Sequence, residues 1–175
     1  MITSRIQPRQ PLRSKRIRAG LWVLLAVLAV WPAQARDIHF GDLVLTNPRV
    51  YCASDASDST IGLLSIRSNN LAGDTLTRVS IEKSVGKTVE IQRIVFKDGT
   101  RKAFPIMGLD IDPGTTLELK LGQIQLAFMG RKKCLKPGST IEAELTFRNA
   151  GAIVIEFEAE TQQTFSRNAP HVDRR

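Results

Sequence analysis

The segment TIEAELTFRNAGAIVIEFEAE, residues 140–160, decides the fold because apolar side chains occupy alternate positions on both sides of a short turn. The alternating apolar residues are Ile141, Ala143, Leu145, Phe147, Ile153, Ile155, Phe157 and Ala159. A period of two places them on one face of an extended strand and the intervening polar residues, mainly glutamates, on the other. The turn at residues 149–151, Asn-Ala-Gly, contains a glycine that accepts positive φ. The segment therefore predicts a hairpin of two half-buried strands.

Further period-two patterns extend from this hairpin towards the N-terminus as far as Asp42. The additional predicted strands cover residues 43–46, 61–67, 76–81, 88–96, 117–121 and 123–129. Proline and glycine turn formers separate several of them, for example Asp112-Pro113-Gly114 and Lys136-Pro137-Gly138. About eight short strands at this spacing predict an all-β domain, an antiparallel sandwich or barrel.

The N-terminal region has the pattern of a secretion signal. Six cations and no anion precede an apolar run of eleven residues, 21–31, and the small residues Ala33-Gln34-Ala35 then offer a cleavage site. Such a run is too short for a bilayer-spanning helix, which needs about twenty residues. We therefore expect residues 1–35 to be a cleaved signal helix, 36–160 to form the β-domain and 161–175 to be a flexible polar tail. The pattern also predicts export to the periplasm by the general secretory route, with membrane contact only if the signal is uncleaved.

Charge and motif content argue against two functional classes. The chain has 25 lysines and arginines and 17 acidic residues, but the six leader cations reduce the excess from residue 36 onward to 19 − 17 = +2. This charge, without a basic face interleaved with aromatic residues, does not predict nucleic-acid binding. The two histidines, His39 and His171, belong to no motif that pairs them with a nucleophile, and no Gly-x-Ser-x-Gly segment is present. We expect a protein that is not an enzyme.

The chain contains two cysteines, Cys52 and Cys134. An even number in an exported chain favours a disulfide, with free or mixed-disulfide thiols as the alternative. Their spacing rules out a Cys-x-x-Cys metal or redox motif.

A series of segments between residues 89 and 151 carries a more specific signal. They are VEIQR at 89–93, KDG at 97–99, AFPI at 103–106, GQIQLAFMGRK at 122–132, LKPG at 135–138, LTF at 145–147 and AG at 150–151. Together they resemble the periplasmic copper chaperones called PCu(A)C. The resemblance implies a single cupredoxin-like antiparallel β-sandwich. It also implies a Cu(I) site built from a His, a Met eleven positions later, and a His-x-Met after a further 21 residues.

These four ligand positions fall, without a gap, on Gln92, Ala103, Gln125 and Ala127. Cu(I) prefers soft thioether and thiolate ligands and also binds imidazole, whereas an amide is a weak donor and a methyl group donates nothing. The resemblance therefore implies a divergent member of the family with a degenerate metal site and no cofactor.

Other residues are weak alternative ligands. Met129 follows Ala127 by two positions and so lies on the same strand face, while Met107 follows Ala103 by four positions. Methionine is also a common core filler, which is our first interpretation of both. We expect His39 and His171 to be solvent-exposed rather than ligands.

Two functions remain open. The first is a metal-free binding or assembly module that uses the sandwich as a surface for a periplasmic protein partner. The alternative is a copper chaperone that delivers Cu(I) to a respiratory oxidase, or acts with membrane oxidase assembly factors, through other ligands or ligands supplied by a partner. The loss of all four ligands, two His and two Met, at the family positions favours the first.

Overall fold

Extended strands account for most of the residues that the computed structural model describes, which are 37–52, 59–130 and 134–167. The elements are β1 (Asp37–Phe40), β2 (Leu43–Cys52), β3 (Ser59–Ser68), β4 (Asp74–Ser80), β5 (Thr88–Lys97), β6 (Thr100–Pro105), β7 (Leu109–Ile111), β8 (Thr116–Glu118), β9 (Ile124–Met129), β10 (Thr140–Phe147), β11 (Gly151–Glu160) and α1 (Gln162–Arg167). The predicted all-β fold class is confirmed. The described residues form eleven strands rather than about eight. β1 and β7 alternate over only four and three residues, which is too short a pattern to predict a strand, and β6 is exposed along its whole length.

The strands are hydrogen-bonded in the order β6-β5-β9-β3-β2-β11-β10-β4-β7, with β1 paired to β2 and β8 paired to β3. Every pairing is antiparallel except that of β2 with β11. The sheet curves so that its two halves share a core: the rings of Phe128 on β9 and Phe157 on β11 meet edge to face, with their centroids 5.5 Å apart. This arrangement is consistent with the predicted cupredoxin-like sandwich.

The hairpin predicted from residues 140–160 forms as β10 and β11, with Ile141 opposite Phe157 and Leu145 opposite Ile153. Its alternating apolar residues face the core, where Leu145 and Phe157 are fully buried, and its glutamates from position 142 to 158 are exposed on the other face. Gly151 has a φ of 90° at the end of the turn, as a residue without a Cβ allows.

A buried carboxylate ties this turn to β4. Asp74 accepts hydrogen bonds from the backbone N–H groups of Thr75 at 2.7 Å, Asn149 at 3.0 Å and Ala150 at 3.0 Å. Three charge-assisted bonds compensate for the burial of the ionised side chain.

The short helix α1 packs against the sheet beyond the last strand. Phe165 is fully buried, and its ring stacks on Tyr51 with the centroids 4.9 Å apart. Thr161 caps the helix by accepting a hydrogen bond from the backbone N–H of Thr164 at 3.2 Å. The packed chain therefore extends beyond Glu160, where the sequence pattern ended the domain. One phenylalanine in a polar segment produces no periodicity from which this contact could be predicted.

Cys52 and Cys134 are 82 positions apart in the sequence and form a disulfide, with their Cα atoms 5.6 Å apart. The predicted pairing is therefore present, and it suits an oxidising compartment. The predicted signal peptide, residues 1–35, lies outside the described residues. Within the described ranges, no helix is long and apolar enough to cross a membrane.

Candidate functional site

Two of the four family ligand positions face each other across neighbouring strands. Gln92 on β5 is the direct cross-strand partner of Gln125 on β9, and two residues along the same pair Glu90 is opposite Ala127. Directly paired residues and alternate residues of a strand share one face of a sheet. The register therefore places Gln92, Gln125, Glu90 and Ala127 together on one face.

The fourth position, Ala103, reaches the same face through the edge strand. It lies on β6 opposite Ile94, which shares the face of Gln92. The surroundings of the four positions differ: Ala103 is exposed, whereas Ala127 is buried and Gln125 is only 5% exposed. The candidate site therefore extends from the exposed edge strand β6 to buried positions on β9.

Both amide side chains of the site make hydrogen bonds within the protein. Gln92 donates from Nε2 to Oε2 of Glu90 at 2.8 Å. Gln125 accepts at Oε1 from the backbone N–H of Gly122, at 3.4 Å. Gly122 has a φ of 78° in the turn before β9, a conformation that brings its N–H towards the strand. The side chains at the site are therefore two hydrogen-bonded amides, one carboxylate and two methyl groups.

Soft metal ligands are scarce around this site. Across residues 37–52, 59–130 and 134–167, no group of three or more His, Cys, Asp or Glu side chains could hold a metal ion. Glu90 is a potential ligand that the sequence analysis did not single out. It could have been found, since a residue two positions before Gln92 on a strand must share its face.

The methionines occupy different positions relative to the site. Met107 is 98% exposed and does not pack in the core as we expected, because the segment between β6 and β7 carries it away from the sheet. It nevertheless lies near Gln92, since the N–H of the preceding residue, Ile106, donates to the backbone carbonyl of Ile91 at 2.8 Å. Met129 is half-buried at the end of β9, opposite Thr88 and on the face of Ala127.

His39 is not part of this arrangement. His39 is exposed on β1 and pairs with Val44, which is itself opposite Arg67 on β3. The neighbour of Ala127 on β3 is Ile61, six positions from Arg67. At about 3.3 Å per residue this is a separation of about 20 Å along the strand. His171 lies outside the described residues.

The family model described as LpqE-like matches residues 43–159, a range that begins at β2 and includes the whole candidate site. The chain belongs to the LpqE-like family. The resemblance to the PCu(A)C copper chaperones is thereby confirmed, because this family and the similar solved structures are of the PCu(A)C type. Neither the family description nor these structures name an enzymatic activity. A comparison of the LpqE-like sequence with curated proteins found no significant match.

The solved structures that are similar to this LpqE-like chain share its fold. The apo PCuAC domain of PmoF1 has a TM-score of 0.60 and 21% identity, covering 72% of this chain and 99% of that domain. The copper-bound PCuAC domain of PmoF2 has a TM-score of 0.60 and 14% identity, with 72% and 98% covered. The Cu(I) form of DR1885 from Deinococcus radiodurans has a TM-score of 0.51 and 15% identity, with 74% and 83% covered. At these low sequence identities, the similarity shows a shared fold only.

Proposed function

We propose that this LpqE-like protein is an exported, non-enzymatic binding or assembly module whose copper site is degenerate and takes no cofactor. One observation carries the proposal. The register brings the four family ligand positions together on one face, yet they supply Gln92, Ala103, Gln125 and Ala127.

The chemistry of these side chains supports the proposal that the protein does not carry copper. Cu(I) favours soft sulfur ligands and imidazole nitrogen, and neither amide of the site provides one. The only atoms with which either amide could bind an ion are its hard carbonyl oxygens, and Oε1 of Gln125 already accepts from the N–H of Gly122. The remaining carboxylate, Glu90, is a hard ligand of the kind that Mg²⁺ or Ca²⁺ prefers.

Two features support export to the periplasm. The leader pattern at residues 1–35 is that of a secretion signal. The disulfide between Cys52 and Cys134 fits an oxidising compartment, where such bonds form and persist. In that compartment we assign the sandwich the role of contacting a periplasmic protein or an oxidase assembly factor without carrying the metal itself.

Anaerobic Cu(I) titration against a chelator of sub-micromolar affinity tests the proposal. We expect the wild-type chain, from residue 36 onward, to leave the chelator spectrum unchanged. The variant Gln92→His, Ala103→Met, Gln125→His, Ala127→Met should withdraw Cu(I) from the chelator, because the register already holds the four positions together. Competition by the wild-type protein for one equivalent of Cu(I) would overturn the proposal.

Two controls accompany the titration. The pair Glu142→His, Glu156→His places two histidines directly opposite each other on β10 and β11, and we expect it not to compete. Because Ala127 is buried, a methionine there costs about 1 to 3 kcal/mol of overpacking. The three-residue variant that retains Ala127 is therefore measured beside the complete one.

Delivery of Cu(I) to a respiratory oxidase is the second candidate function, and the position of Met107 favours it. This thioether is 98% exposed and lies beside the candidate site, where a partner could complete the ligand set. The same titration separates the two functions. If the wild-type protein competes for Cu(I) and Met107→Leu abolishes the competition, copper delivery through other ligands is supported.

A further inference from the structure

Strands β5 and β6 form a ribbon that extends beyond the rest of the sheet. β9 pairs with β5 from Thr88 to Arg93, whereas β6 pairs with it from Gln92 to Lys97. Beyond Ile94, these two strands have no further strand neighbour among the described residues. The turn at Asp98 and Gly99, with φ values of 54° and 72°, closes the ribbon. All residues from Val95 to Pro105 are exposed, so both faces of the outer half of the ribbon are open to solvent.

The ribbon exposes apolar side chains on both faces. Phe96 is 72% exposed and lies on the face of Gln92, whereas Val95 and Phe104, which is 47% exposed, lie on the opposite face. Phe96 and Phe104 are the two exposed phenylalanines of the described residues. A two-stranded ribbon gains little stability by itself, so exposed aromatic residues there indicate a contact with something outside the domain.

Each of these apolar side chains has a cation directly across the ribbon. The pairs are Arg93 with Phe104, Lys102 with Val95 and Arg101 with Phe96. With Lys97, residues 93–105 contain four cations and a single anion, Asp98, for a net charge of +3. The chain from residue 36 carries only +2 in total, so the ribbon is more basic than the domain as a whole.

We propose that the β5–β6 ribbon docks this protein on an anionic lipid surface. Its phenylalanines enter the interface between headgroups and acyl chains, and the paired cations contact the headgroup phosphates. A lipid interface surrounds an inserted ribbon on both faces, whereas a flat protein surface would cover one. Each lysine or arginine near such a surface contributes about 1 kcal/mol. The docking does not require the leader, in contrast to our expectation from the sequence, and it goes beyond the proposed function.

The test uses protein that starts at residue 36, since every described element lies within residues 37–167. Both tryptophans of the chain, Trp22 and Trp31, are then absent, so Phe96→Trp introduces a single reporter. We expect its fluorescence to shift to the blue with vesicles of phosphatidylglycerol and phosphatidylcholine, and brominated acyl chains to quench it. Vesicles of phosphatidylcholine alone should produce neither effect. The matched reporter Leu71→Trp, in the exposed turn between β3 and β4, should not respond.

A charge variant tests the electrostatic part. In the Phe96→Trp background, Arg101→Glu with Lys102→Glu should weaken vesicle binding at least about 25-fold, since 1 kcal/mol per cation is about fivefold. Lys83→Glu with Arg148→Glu makes the same change of charge at exposed positions outside the ribbon and should leave most of the binding intact. Circular dichroism verifies that each variant keeps the fold.

Three results would overturn the proposal. One is that the protein binds anionic and neutral vesicles equally well, or binds neither kind. Another is an equal loss of binding in the two charge variants. The third is a spectral shift that occurs with periplasmic proteins but not with vesicles, which would make the ribbon a protein contact.

Discussion

Replacing a histidine by glutamine retains a polar side chain of similar reach and removes the soft donor atom. Gln92 and Gln125, where the resemblance to the family implies histidines, are directly paired, and each amide makes a hydrogen bond within the protein. These side chains are therefore a locally hydrogen-bonded part of the sheet. Positions could be mapped from sequence spacing, but these hydrogen bonds could not, because they depend on Glu90 and on the backbone of Gly122.

Asp74 is the residue whose loss we expect to cost the most stability among the polar side chains. Asp74→Ala removes the acceptor of three backbone N–H groups and should lower the free energy of unfolding by about 2 to 4 kcal/mol. Urea denaturation at neutral pH measures the change.

Asp112→Ala is the matched control for Asp74→Ala. Asp112 is an exposed acid in a turn, and we expect its replacement to change the free energy of unfolding by less than about 0.5 kcal/mol. An equally small effect at Asp74 would show that the three hydrogen bonds do not hold β4 to the β10–β11 turn.

Whether a strand could be predicted from the sequence depended on how its residues are buried. The β10–β11 hairpin could be predicted because one face of each strand is buried and the other is solvated. β6 has all six residues exposed and therefore no alternation to detect. Helix α1 was missed for a different reason: its buried aromatic residue, Phe165, is isolated in a polar segment and contacts Tyr51, which is distant in the sequence.

We expect helix α1 to contribute measurably to the stability of the sheet. Phe165→Ala should lower the free energy of unfolding by about 3 kcal/mol, because it removes a fully buried ring that stacks on Tyr51 and lies under the guanidinium of Arg49. Urea denaturation tests this, and truncation after Glu160 should produce a loss of similar size.

Gln163→Ala is the control within the same helix. Its side chain is exposed, and alanine is a good helix former, so the stability should not fall. If Phe165→Ala changed the free energy of unfolding by less than about 1 kcal/mol, the docking of α1 would not be a stabilising contact.

At the scale of the whole molecule, the fold class could be predicted but the order of the strands could not. Strands adjacent in the sequence often pair, and β2 with β3, β5 with β6 and β10 with β11 do so. The parallel pairing of β2 with β11 joins the two ends of the domain, and no local pattern indicates it. The likeness to a known family was therefore more informative about the arrangement than the alternation of single strands.

The disulfide is expected to stabilise the whole domain. It closes a loop of 82 positions, which the chain-entropy model values at about 4 kcal/mol. Cys52→Ser with Cys134→Ser should lower the free energy of unfolding by about that amount. Reductant should have the same effect on the wild-type protein and none on the variant. Unchanged stability of the reduced wild-type protein would contradict the expectation.

The parallel pairing of β2 with β11 also has a kinetic consequence. Arg49 and Glu158 are partners 109 positions apart, and their strands occupy the middle of the sheet. Contacts of such long range are slow to form, because the entropy of closing the chain is lost before the pairing stabilises it. The sheet cannot be completed on the ribosome until almost the entire domain has been synthesised. A nascent chain of this topology therefore stays incompletely folded during its synthesis, and an incompletely folded chain is what a narrow translocation channel can accept.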